Sequence, residues 1–170
     1  MKKIAIIGPE CTGKTTLSKQ LALYYKTVWV PEYAREYVEN LQRNYVFEDL
    51  EKIAYRQFEQ INTKYTDALN YIFFDTDLII TKVWFDLVFK KTPEWLNQAI
   101  NCSNFNLHLL CSIDIPWETD PVRENGGEMR TILFNLYKQE LEDRCLQYKI
   151  VSGIGNERTK NSIEIINNFA

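Results

Sequence analysis

Residues 3–16 read Lys3-Ile4-Ala5-Ile6-Ile7-Gly8-Pro9-Glu10-Cys11-Thr12-Gly13-Lys14-Thr15-Thr16, and the fold class turns on them. The run from Lys3 to Ile7 is continuously apolar after its first residue, the pattern of a strand buried on both faces. Gly8 to Thr15 satisfies every fixed position of G-x-x-x-x-G-K-[ST]. Lys14 to Tyr25 then predicts a helix, with Leu17, Leu21 and Tyr24 at helical spacing. Strand, glycine-bearing loop and helix in that order are the context a phosphate-binding loop requires. Its glycines let successive backbone N–H groups curl around a phosphate, and the helix N-terminus adds partial positive charge. Lys14 is expected on the β- and γ-phosphates of a nucleoside triphosphate, and the Thr15 hydroxyl on Mg²⁺.

Outward from the loop, strands and helices alternate. Thr27-Val28-Trp29-Val30 predicts a short strand ended by Pro31. Leu50, Ile53, Ala54, Phe58, Ile61, Tyr65 and Leu69 keep one helical face, with Glu48 and Asp49 at its positive end. Tyr71 to Phe74 predicts a third strand, Leu78 to Phe89 a buried helix, and Leu107 to Ile113 a fourth strand. Pro116 to Gly127, with two prolines and two adjacent glycines, is the longest irregular stretch. A helix to about Asp143, a strand Tyr148-Lys149-Ile150-Val151 and a closing helix from Asn156 complete the chain. The pattern implies a P-loop α/β fold, a five-stranded parallel sheet with helices on both faces. Residues 1–170 are expected to form one domain, with an arginine-bearing lid over about 115–130.

Composition narrows the function. Twenty Lys and Arg against 23 Asp and Glu give a net charge of −3, which argues against a broad basic footprint for nucleic acid or anionic membrane. No apolar run nears the roughly 18 residues of a membrane helix, and no signal peptide is expected. The four cysteines lack C-x-x-C spacing, so a reduced cytoplasmic setting is expected rather than a zinc ribbon or disulfide scaffold. The single histidine, His108, excludes chemistry needing two and is expected to be packed in its strand. Neither N-K-x-D nor D-x-x-G occurs, which disfavours a GTPase. A kinase that folds a lid over ATP remains, beside a regulatory module that binds ATP or GTP and hydrolyses it slowly.

Several segments together resemble the ribosylnicotinamide kinase domain of NadR-type proteins. They are Gly8 to Thr16, Trp29-Val30-Pro31-Glu32-Tyr33-Ala34-Arg35-Glu36-Tyr37, Ile53-Ala54 with Gln57, Phe74-Asp75-Thr76-Asp77, Pro116-Trp117 with Asp120 and Arg123, and Gly153 with Arg158. The resemblance implies a deoxynucleoside-kinase-like fold and ATP-dependent phosphorylation of nicotinamide riboside, another nucleoside being the alternative acceptor. Cys11 stands where that family more often has Ser, and Asp120-Pro121-Val122 where D-G-L is common. With the first strand beginning at Lys3, no upstream adenylyltransferase or repressor domain is expected.

Roles follow residue by residue. Gly8, Glu10, Cys11, Thr12, Gly13, Lys14, Thr15 and Thr16 are expected at the nucleotide. Glu32, past the second strand, is the candidate base for a sugar hydroxyl, or alternatively an acid at a helix N-terminus. Arg35 holds a phosphate, fixes Glu32 or is a solvated charge, and Tyr33 is a pocket or core aromatic. Asp75 and Asp77 end the third strand, as metal ligand and ribose contact in an order left open. Trp84 stacks on a flat cationic ring or joins a core stripe. Gln57 faces the pocket or marks the edge of its helix. Arg123 and Arg130 are lid arginines for the transferred phosphoryl group, or charges of a loop rich in acids. Gly153 and Arg158 border the adenine, by resemblance. Cys11 is expected to react fastest among the cysteines, with Cys102, Cys111 and Cys145 in or near core segments.

Overall fold

The computed structural model describes residues 1–66, 69–119 and 125–169. Arg123 and Asp120 lie outside the described residues. Five strands, β1 (Lys2–Ile7), β2 (Trp29–Val30), β3 (Tyr71–Asp75), β4 (Leu107–Cys111) and β5 (Tyr148–Val151), form one sheet in the order β2-β3-β1-β4-β5. Every pairing is parallel, with Ile4 opposite Phe73 and Leu107, and Ile6 opposite Asp75 and Leu109. A parallel sheet puts all its carboxyl ends on one edge, where ligand groups gather.

The period of two along β1 decides what covers each face. Ala5 and Ile7 join Ile72, Phe74 and Leu110 in a core closed by α3 (Phe47–Asn62), α4 (Leu78–Trp84), α5 (Glu94–Cys102) and α6 (Glu128–Asp143). Ile4 and Ile6 point the other way, with Phe73, Leu107 and Leu109, onto α1 (Lys14–Tyr24) and α7 (Asn156–Phe169). Burial on both faces explains why β1, β3 and β4 read as continuous apolar runs. The short α2 (Tyr33–Glu39) lies between β2 and α3. No described helix is long and apolar enough to cross a membrane.

Some predicted bounds shift, each for a local reason. The long central helix stops at Asn62 rather than near Leu69. The Asn62 amide and the Thr63 hydroxyl donate to the carbonyls of Phe58 and Glu59. The chain then folds back, with Tyr65 Oη donating to the Gln60 carbonyl and its ring set edge-on to Phe74. β2 is shorter than expected because the Thr27 hydroxyl, rather than a ladder partner, bonds the Tyr71 carbonyl. Leu78 to Phe89 divides into α4 and a π-helical turn, Phe85–Phe89. The unpredicted α5 packs through Leu96, Ala99 and Ile100, too short a stripe to be read from period alone.

Asp49 ties α2, α3 and the connection between them together. Arg43 binds it with two nitrogens at 2.5 and 3.0 Å, the Tyr37 hydroxyl donates at 2.9 Å, and the Val46 N–H at 2.9 Å. The Arg43 guanidinium, foremost, and the Val46 N–H hold this fully covered carboxyl well below the usual carboxylate range. A depressed carboxylate stabilises the fold above its unfolded value of about 3.9 and loses that contribution as pH falls toward its folded value. Asp49→Asn is therefore expected to lower Tm by several degrees at pH 7, with the gap to wild type closing below about pH 4. Thermal melts across pH 2–7 check this, and a gap independent of pH would contradict it.

Candidate active site

The phosphate loop leaves β1 through Gly8, whose φ of +148° is one that side-chain-bearing residues rarely adopt. A Cβ there would meet the Cys111 carbonyl oxygen at 3.0 Å, so the loop starts tight against the end of β4. Gly13, at φ +74°, closes the loop as the residue before α1. The Thr12 hydroxyl and the Lys14 ammonium both donate to the Pro9 carbonyl, at 2.8 and 3.1 Å.

Two buried arginines hold the loop from outside. Arg158 donates to the carbonyls of Thr12, Ser112 and Gly153 and pairs with Asp114. Arg130 donates to the carbonyls of Cys11 and Ile115, at 3.0 Å each, and lies over the Trp117 ring. Neither lines the cavity that the loop faces, one of about 420 Å³, nor does Gly153. Arg158 and Arg130 thus direct most of their donors to the loop and its neighbours, with Arg130 Nε having no partner in the protein; their contact with nucleotide, and that of Gly153, stays a proposal. Glu10 receives the N–H and side-chain amide of Asn125, at 2.9 and 3.3 Å.

The loop forms one wall of a cavity of about 420 Å³. Gly8 and Glu10 to Thr16 line it, together with the sequence-selected Glu32, Arg35, Gln57 and Trp84. Asp75 stands behind Thr15, whose hydroxyl donates to Asp75 Oδ2 at 2.5 Å. Enclosure by protein pushes the Glu32 carboxyl up, Lys14 opposes this, and Asp75 adds to it. Burial likewise pushes Asp75 up, against Lys14 and the Thr15 hydroxyl. Arg35 also pairs with Glu39 at 2.8 Å, one helical turn on.

Tyr33 and Asp77 do not line this cavity. The Tyr33 ring sits 5.9 Å from that of Tyr37 and is absent from the large cavity. Asp77 caps α4 by accepting from Ile79 N–H at 2.9 Å, and its other oxygen meets His108 Nε2 at 2.9 Å. That pairing accounts for the packed histidine and gives both Asp77 oxygens a partner within the protein.

Sequence reasoning missed Tyr45, Thr81, Leu133 and Tyr137, all on the cavity wall. Thr81 donates to Gln57 Oε1 at 2.5 Å, which fixes the carboxamide with its NH₂ as the remaining hydrogen-bonding group. Tyr45 meets Trp84 edge-on, ring centroids 6.3 Å apart. Tyr137 lies in the apolar stripe of α6 with Leu133 and Leu141, and a lone phenol in such a stripe is indistinguishable from core by pattern.

Residues 3–158 match the family model described as an AAA domain. The chain belongs to that family. This AAA-domain chain is also 28% identical, over 155 residues, to the trifunctional NAD biosynthesis/regulator protein NadR of Escherichia coli (strain K12), covering 87% of this chain and 37% of that protein. It thus spans little more than a third of the curated relatives it matches. A NadR protein crystallised in complex with NR superposes with a TM-score of 0.81 at 23% identity, over 99% of this chain and 50% of that one. A deoxyadenosine kinase from M. mycoides gives 0.65 at 17% identity, over 98% and 99%. The fold is that of the P-loop nucleoside kinases.

The cysteines correct one expectation. Cys102 and Cys145 are exposed, whereas the Cys11 thiol touches the Pro116 carbonyl and the Glu118 N–H at 3.4 and 3.3 Å. Burial pushes the Cys111 thiol up to about 11. Brief alkylation followed by mass mapping should label Cys102 and Cys145 first and Cys111 last. Label on Cys11 ahead of both exposed thiols would contradict this.

Proposed function

We propose that the chain is an ATP-dependent nucleoside kinase whose acceptor is nicotinamide riboside and whose product is nicotinamide mononucleotide. The reading rests on one observation: the phosphate loop opens into the same 420 Å³ cavity as Glu32, the Gln57–Thr81 pair and the Tyr45–Trp84 wall. A module that only hydrolyses its nucleotide needs no second compartment with a base and a patterned wall. The likeness to a NadR structure holding NR, and to a deoxyadenosine kinase, supports a nucleoside there.

In this reading Glu32 accepts the proton of the acceptor's hydroxyl as it attacks, and Lys14 leaves the Pro9 carbonyl for the β- and γ-phosphates. Trp84 offers a face to a cationic pyridinium, worth roughly 0.5–2 kcal/mol. Arg123, outside the described residues, keeps its proposed place in the lid, with residues 115–130 and the rest of the chain forming one kinase domain. The Thr15 hydroxyl and Asp75 carboxylate offer the hard oxygen donors that suit Mg²⁺. Two protein oxygens fill only part of a Mg²⁺ shell, and phosphates and water would complete it. Thr15 and Asp75 would hold the ion, and when bound it neutralises charge on the phosphate oxygens. The net charge of −3 supports a small-molecule partner rather than nucleic acid or membrane, and the free cysteines suit the proposed cytoplasmic setting.

ADP formation from ATP with nicotinamide riboside, uridine, cytidine, thymidine or no acceptor tests the reading. Nicotinamide riboside should stimulate most, and equal ADP release in all five would overturn the kinase. Lys14→Ala should lower kcat about 10²–10³-fold with the fold kept; unchanged turnover would remove Lys14 from the phosphates. Because Glu32 is raised and must be ionised to act, kcat should fall with decreasing pH through a value above the ordinary glutamate figure of about 4.3. A profile flat down to that figure would count against Glu32 as base.

A further inference from the structure

Thr76 is a strained residue in a buried place. Its φ is +77°, a conformation that is a genuine outlier for a β-branched residue. Its N–H is satisfied by the Ile6 carbonyl at 3.0 Å, so the backbone alone does not need the hydroxyl. Yet the residue is 4% exposed, and Oγ1 has no hydrogen-bond partner in the protein. Among the described residues only two other buried side-chain polar atoms share that condition, Asp75 Oδ1 and Arg130 Nε. Two of the three therefore fall on adjacent residues.

Both adjacent residues line a second, small cavity of about 10 Å³ between the ends of β2 and β3 and the flank of α3. Glu32, Gln57 and Asp77 also line it. A space of this size admits a single water, and one in polar surroundings is stable with about three hydrogen bonds. Asp77 is already satisfied by Ile79 and His108. Glu32 and Gln57 line the large cavity as well, so the small one abuts the site from behind.

We propose that this pocket is a site for one ordered water, which accepts from the Thr76 hydroxyl and donates to Asp75 Oδ1 and the Glu32 carboxylate. Thr76 is then a positioning residue: its strain is retained because the hydroxyl orients the water that aims Glu32. The role of Glu32 rests on the kinase reading above; the water site itself does not. Without this water two buried polar atoms would stay unpaired, each at a cost comparable to a lost hydrogen bond.

A crystal structure of the wild-type chain at about 1.5 Å is the first test. A water within hydrogen-bond distance of Thr76 Oγ1 and a second lining residue supports the proposal; a dry pocket, or Thr76 turned to a protein partner, overturns it. The kinetic test compares Thr76→Val, Thr76→Ser and Thr76→Gly. Valine keeps the shape and removes the hydroxyl, and kcat should fall about tenfold with both KM values within twofold. Serine should restore turnover. Glycine accepts the positive φ but has no hydroxyl, so it should be as slow as valine. Valine or glycine turning over like wild type would overturn the positioning role. Should the wild-type chain form no acceptor-dependent ADP, the kinase reading fails while the crystallographic test of the water stands.

Discussion

The site depends on how the phosphate loop is held. Gly8, at a φ that side-chain-bearing residues rarely adopt, brings it tight against the Cys111 carbonyl, and two buried guanidinium groups then occupy its outward carbonyls, Arg158 at Thr12 and Arg130 at Cys11. A loop of loose backbone dipoles would reorganise around each incoming phosphate. Pinned carbonyls leave the loop's shape fixed before the ligand arrives, and preorganised dipoles are what stabilise developing charge. The Arg158 anchor reaches from α7 across Ser112, Gly153 and Asp114, so the far end of the chain sets the geometry of its beginning.

The parallel sheet supplies the rest. With β1 between β3 and β4, the loop after β1 lies beside the ends of both neighbours. Asp75 reaches Thr15 from β3. One strand further out, Val30 of β2 leads through Pro31 to Glu32 on the cavity wall. Three acids end up with distinct duties because their partners differ. Asp49 is satisfied by Arg43, Tyr37 and Val46 and supports the fold. Asp77 is consumed by α4 and His108. Asp75 keeps one oxygen at Thr15 and one without a protein partner.

Much of this was legible in the sequence because it rests on local signals. The continuous apolar runs gave the buried strands, and G-x-x-x-x-G-K-T set the loop between strand and helix. The limits lie where long-range contacts override local pattern. Nothing near Arg130 or Arg158 announces that they bond loop carbonyls, since a basic residue in a loop or at a helix start reads the same whatever it meets. Asp77 looks like Asp75's twin until His108, 31 residues on, takes its second oxygen. Tyr137 and Thr81 sit in apolar helical stripes, and only the assembled cavity separates them from core. The end of α3 was hidden because Tyr65 and Leu69 prolong the helical period by coincidence while side-chain caps stop the backbone.

The central claim is that one cavity joins a phosphate donor to a nucleoside acceptor. It is tested most directly by following the γ-phosphoryl group itself: ATP labelled at the γ-position is incubated with Mg²⁺ and nicotinamide riboside, and the products are separated. Label is expected in the nucleoside monophosphate. Label recovered only in inorganic phosphate, at a rate indifferent to the nucleoside, would contradict it.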